Sequence, residues 1–125
     1  MIFYDFEVFE KDWLAVFIDV TKKKEHVIIN SPDKLKALYE ANRKDIWVGF
    51  NNRHYDQYIM KGILLGMNPK KINDWIIVDN KEGWQYSRAF NKLPMINYDV
   101  MPSNDETMKT CLLYTSDAAD DRISV

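Results

Sequence analysis

The chain has 125 residues, the length of one domain or of a piece of one. It is 46% apolar and 29% charged, ordinary values for a soluble globular protein, and its 14% aromatic content supplies bulk for a core. No apolar run is long enough to span a bilayer. The single Cys111 excludes a disulfide framework and a cysteine-rich metal site. No basic-then-apolar leader opens the chain, so an intracellular, cytoplasmic and reducing location is expected.

Residues 2–9, "IFYDFEVF", are rich in aromatic and β-branched types and predict a strand. "WLAVFIDV" at 13–20 predicts a second, with "EKD" between them as a hairpin turn. "TKKKE" reads as a solvated polar turn and "HVIIN" at 26–30 as a third strand, completing a meander. In the next stretch Ser31 is a helix N-cap, Pro32 the first helical residue, and Leu35, Leu38 and Tyr39 one apolar face. The short apolar run "IWVGF" at 46–50 predicts a buried strand. A helix over 54–66 follows, with Tyr55, Ile59 and Ile63 at every fourth residue and Gly66 at its end. "NPKKINDWIIV" reads either way, with a short helix as one option, and "MINYDVM" at 95–101 is a candidate fifth strand. The order β-β-β-α-β-α, with a further strand possible, implies an α/β mixed sheet with helices packed on it.

The first strand raises a chemical question. Side chains alternate along a strand, so Asp5 and Glu7 share a face about 7 Å apart. Two like charges on a partly buried face repel, and no lysine or arginine within the strand offsets them. A divalent cation would, since magnesium favours carboxylate oxygens. The alternative is that both acids sit on a solvated face of an edge strand. A second acid-bearing segment, "VGFNNRHYDQYI", follows the fourth strand. Asp56 falls where a strand crosses into a helix, a common place for ligands in open sheets. Here too a bland alternative stands: Asn52 caps the helix and Asp56 complements its dipole. His54 is assigned a surface or capping role, and Tyr98 a place in a strand core.

Together, "YDFE" on a first strand and N-x-x-x-D after a fourth strand, with an aromatic before the aspartate, resemble the DEDD superfamily of 3′–5′ exonucleases. "FNNRHYD" is similar to the corresponding segment in the proofreading domain of bacteriophage family B DNA polymerases. The resemblance covers roughly residues 1–101. It implies a ribonuclease H-like fold, truncated at its C-terminal end, and an enzyme that removes nucleotides from the 3′ end of single-stranded DNA. It implies two Mg2+ or Mn2+ ions held by Asp5, Glu7 and Asp56. Asp5 would bridge them, Glu7 would bind the ion that activates water, and Asp56 would hold the other. Asn52, Phe6 and Tyr55 would serve substrate binding, with Phe9, Tyr58 and Met60 as further candidates for wedging the terminal base. A polymerase domain downstream is an implied partner. The superfamily's fourth acid, with a nearby Tyr or His, has no counterpart before Thr110, and Asp99 sits too early for that role. A junction resolvase or RNA-strand nuclease of the same fold, and a non-catalytic nucleic-acid or metal-binding module, stay open as alternatives.

The end of the chain reads differently. Cys111 to Asp120 back-translates in one frame to DNA that resembles the transposon end and adapter used in preparing sequencing libraries, and the next codon allows Asp121. Residues 111–125 are therefore expected to be a non-native tail, and residues 1–110 an N-terminal part of the nuclease domain. Over 1–110 the chain carries 16 basic and 16 acidic residues and is neutral. Neutrality suits a protein that holds a few terminal nucleotides through metals rather than one gripping a long duplex.

Overall fold

A computed structural model of the protein describes residues 1–100. The expected tail at 111–125, the segment 101–110 and the last residue of the expected fifth strand lie outside the described residues. Five strands form one mixed sheet: β1 (Ile2–Val8), β2 (Trp13–Asp19), β3 (Lys24–Ile29), β4 (Ile46–Gly49) and β5 (Ile96–Asp99). Their order across the sheet is β3-β2-β1-β4-β5. The first three are an antiparallel meander, and β4 and β5 add on parallel to β1. This is the α/β mixed sheet expected from the sequence.

The helices start and stop where local chemistry dictates. In α1 (Pro32–Ala41) the Ser31 hydroxyl accepts from the Lys34 N–H, and Pro32 takes the first position, where no N–H is needed. Helix α2 (Asp56–Leu64) begins two residues later than expected, because Asn51 adopts a left-handed φ of 57° and residues 51–55 form turns. It ends on Gly66 at φ 80°, with Met67 N–H bonded to the Gly62 carbonyl and Gly66 N–H to the Ile63 carbonyl. The ambiguous "NPKKINDWIIV" resolves into α3 (Pro69–Asn73), capped by Asn68, running straight into a π-helical turn at Asp74–Val78. Two 3-10 turns, Gly83–Gln85 and Arg88–Lys92, lead on to β5.

The two faces of the sheet differ. One carries Ile2, Tyr4, Phe6, Trp13, Ala15, Phe17, Ile28 and Trp47, all buried in a single cluster with Leu35 and Tyr39 of α1, Ile59, Met60 and Ile63 of α2, Ile72 of α3 and Phe90. The other carries a small cluster of Phe3, Ile18 and Val48, with Val16, Val20 and Val100 against it. Around that cluster Val27, Ile29, Ile96 and Tyr98 are exposed. Asp5 and Glu7 stand on this second face, opposite Val16 and Leu14 of β2. No helix among the described residues is long and apolar enough to cross a membrane.

Candidate functional site

The site arises from a mismatch in strand length. β1 pairs with β4 only through Ile2–Trp47 and Phe3–Val48, so its remaining residues run past the point where β4 stops. The overhanging edge of β1 would leave backbone donors without partners. The chain fills the gap with the start of α2: the Asp56 carboxylate accepts the Phe6 N–H at 2.9 Å. Phe6 lies between Asp5 and Glu7, so Asp56 is seated against the same stretch of strand. Gly49, the last residue of β4, permits the close approach. A Cβ there would stand 2.8 Å from the Tyr4 carbonyl oxygen and 3.2 Å from Asn52 Cβ.

Asp56 is only 3% exposed. Burial pushes its carboxyl up to about 7, against the opposing pull of the Phe6 N–H and of its own backbone N–H, and the nearby charges of Asp5 and Asp99 raise it further. Asp5 is raised as well, first by desolvation and then by Glu7. Among the described residues no lysine or arginine acts on either carboxyl. The acids are linked pairwise by charge, Glu7 acting on Asp5 and Asp5 on Asp56. Glu7 points the same way as Asp5 but one pleat further along β1, while Asp56 is fixed at Phe6. Among the described residues no group of three His, Cys, Asp or Glu side chains stands close enough to form a metal cage. The donor chemistry nevertheless suits a hard cation: oxygen ligands, like-charged and unpaired by protein cations.

Asn52 is fully buried. Its side chain does not cap α2, as the bland alternative required; the Asn52 backbone carbonyl accepts the Gln57 N–H instead. The side-chain amide turns inward and donates to Asn97 Oδ1 at 3.2 Å, where the Tyr4 hydroxyl also donates, at 2.7 Å. Asn97 donates in turn to Gln57 Oε1 at 3.4 Å, and Gln57 also receives the buried Lys61 ammonium at 2.9 Å. The Asn52 Oδ1 atom has no hydrogen-bond partner among the described residues. This network ties β1, β4, β5 and α2 together directly behind Asp56.

The remaining expected residues divide. The Phe6 ring is 4% exposed and packs edge-on against Tyr4 and Phe17, on the face opposite the acids. Its ring is therefore committed to the core, and only its backbone N–H belongs to the site. Met60 is likewise buried, and Tyr58 packs on Phe90 at 5.5 Å between ring centroids. Phe9, at 52% exposure just beyond Glu7, is the one wedge candidate whose ring is open. Tyr55 is half-buried, and its hydroxyl donates to Asn73 Oδ1. Desolvation and the surrounding Asp56, Asp5 and Asp74 push that hydroxyl up to about 12, so it stays a neutral donor. His54 is exposed, as expected, while Tyr98 is an exposed edge-strand residue rather than a core one.

Sequence inspection missed Asn97, and it set Asp99 aside as too early in the chain for the fourth acid. Asp99 ends β5 opposite Gly49, and its charge reaches both Asp56 and Tyr4. Asn97 is the junction of the polar network. The signal was there in part: alternation along "INYD" puts Asn97 and Asp99 on one face. Which face that is depended on the pairing of β5 with β4. Comparison of the chain with family models, with curated proteins and with solved structures returns no match.

Proposed function

We propose that the chain is the N-terminal part of a metal-dependent 3′–5′ exonuclease domain of ribonuclease H-like fold. The observation that carries the reading is the seat of Asp56, a buried carboxylate bonded to β1 between Asp5 and Glu7 with no cation of the described residues to neutralise it. The sheet order, an antiparallel meander continued by two parallel crossover strands, supports the same fold. The substrate is the 3′ end of single-stranded DNA, the setting is cytoplasmic, and the domain serves proofreading beside a downstream polymerase of phage type.

In this reading Asp5, Glu7 and Asp56 would be the residues that hold divalent ions. Once bound, such ions would supply an activated water and a counter-charge for the leaving oxygen. The protein's own work is positional. The Phe6 N–H fixes the Asp56 carboxylate, and the Tyr4–Asn97–Asn52–Gln57 network holds the α2 start against the sheet. Tyr55 presents a neutral hydroxyl beside the acids, and Phe9 offers an open ring to the terminal base. The incomplete donor set favours a second reading, in which the pair binds a structural ion and no hydrolysis follows.

The test uses the uninterrupted gene product, extended past Thr110, on a 5′-labelled oligonucleotide with magnesium or manganese. Stepwise shortening from the 3′ end is expected, with Asp5→Ala or Asp56→Ala abolishing it. The 125-residue chain alone is expected to be weakly active or inactive, because loss of one member of a cooperating group removes most of the rate. An extended protein that binds the oligonucleotide and never shortens it would favour the second reading.

A further inference from the structure

Helix α2 buries the run from Ile59 to Ile63, and at its middle stands a lysine. Lys61 is only 9% exposed. Among the described residues no carboxylate pairs with its ammonium, which donates to Gln57 Oε1 at 2.9 Å and lies 6.0 Å from the centre of the Tyr58 ring. Desolvation lowers its pKa. Replacing a buried charge by a well-packed apolar side chain is often neutral or stabilising. Packing therefore gives no reason for a charge at this position.

The hydrogen bonds supply one. An ammonium donates and never accepts, so Gln57 must turn its side-chain oxygen to Lys61. The Gln57 amide nitrogen then donates to the Arg53 carbonyl at 2.6 Å. That contact is exposed, where water can replace it, so the partly buried ammonium is the firmer constraint. Gln57 Oε1 also accepts from Asn97 Nδ2 at 3.4 Å, which leaves Asn97 Oδ1 to face Tyr4 and Asn52. There it accepts from the Tyr4 hydroxyl and from Asn52 Nδ2, and Asn52 Nδ2 also lies 3.5 Å from the Trp47 carbonyl. The amides thus all run one way, and the chain ends on Asn52 Oδ1, a buried acceptor with no partner among the described residues. Were Gln57 free to turn over, Asn97 and Asn52 could follow, and Asn52 would present a donor instead.

We infer that Lys61 is a positioning residue: acting through Gln57 and Asn97, it fixes the direction of the buried amide chain and keeps the Asn52 oxygen available as an acceptor. The use of that direction rests on the metal reading. Gln57 directly follows Asp56, and its N–H holds the Asn52 backbone carbonyl at 2.9 Å, so the amide chain and the Asp56 seat are fixed together. Loss of an outer-shell group of this kind weakens metal binding by roughly 10- to 100-fold.

The experiment follows the Asn52 side-chain amide of the 125-residue chain by NMR in EDTA, and manganese affinity by calorimetry. Lys61→Met is expected to shift or split the Asn52 amide signal, as both orientations become populated. It should weaken manganese binding roughly 10-fold or more, with a Tm equal to or above the parent's. Lys61→Gln, which can offer either a donor or an acceptor, is expected to show the same signal change. Lys61→Arg, again a donor only, is expected to keep the parental signal and affinity. A parental Asn52 signal in Lys61→Met and Lys61→Gln would overturn the inference. So would an equal change in folded Lys61→Arg, or a loss of affinity that merely tracks a loss of Tm. Failure of the metal reading shows differently: the parent binds no manganese, while the Asn52 signal still changes with Lys61.

Discussion

The two faces of the sheet are built from one set of strands and meet different fates. On the helix-covered face alternate residues are aromatic or aliphatic and interlock; Tyr4 and Phe17 each stand within 6.4 Å, ring centre to ring centre, of one another and of both Phe6 and Trp47. On the opposite face the apolar cluster of Phe3, Ile18 and Val48 shares its strands with Asp5 and Glu7 and with exposed Ile29, Ile96 and Tyr98. Stability resides on the first face. The candidate site lies at the rim between them, where β1 overruns β4 and the charge of Asp5 on the open side acts on Asp56 of the covered one. Asp56 tolerates burial there because the free edge of β1 offers it the Phe6 N–H, while Asp5 and Glu7 are exposed on the open face.

The largest expected effect comes from breaking the covered face. Trp47→Ala removes a fully buried ring and should cost about 3–5 kcal/mol in denaturant unfolding. On the open face Tyr98→Ala should stay within about 0.5 kcal/mol. Equal losses at the two positions would show that both faces are load-carrying and that the distinction drawn between them is false.

At the rim, Gly49→Ala drives a methyl group against the Tyr4 carbonyl oxygen, which is backbone and cannot swing away. The strands must part, at a cost of about 1–3 kcal/mol. Because the shift is felt at the Asp56 seat, affinity for manganese should fall with it. A variant with parental stability and parental metal affinity would show that the close approach is not needed.

The rim also makes stability depend on pH. The Asp56 carboxyl titrates near 7 in the folded protein, above its ordinary value of 3.8. The folded state therefore binds the extra proton between those values, and stability falls as pH rises from about 4 through about 7. Thermal melts in EDTA should show this loss, and divalent cations should reverse it at the alkaline end. Asp56→Asn can still accept the Phe6 N–H but carries no charge. It should flatten the pH profile and abolish the rescue by metal. A metal-free protein that grows more stable across this range would contradict the assignment.

Much of this was legible in the sequence. The strands, the Ser31 and Pro32 helix start, the Gly66 stop and the shared face of Asp5 and Glu7 all follow from local rules, since each depends on alternation or on a capping residue. What was not legible depended on length and pairing. That β1 overruns β4 cannot be read from "IFYDFEVF" or "IWVGF" alone, yet it decides that the Phe6 N–H is left for Asp56; that the Phe6 ring turns away from the acids already follows from alternation. Asn52 looked like a cap because Asn caps helices; tertiary contacts with Tyr4 and Asn97 drew its side chain inward. Asp99 became part of the rim only through the register of β5 against β4.

The smallest effect is expected at the tail. Removing residues 111–125 should leave the Tm within error, since their sequence resembles adapter-derived DNA. A clear drop would show that they belong to the fold.

The central claim is that Asp5 and Asp56 form one cation-seeking pair. It is tested most directly by calorimetric titration of manganese into the 125-residue chain at slightly alkaline pH, where Asp56 is ionised. The parent should bind, and Asp5→Ala and Asp56→Asn should each lose most of that affinity while remaining folded. Binding that persists unchanged in both variants would place the metal elsewhere and contradict the account.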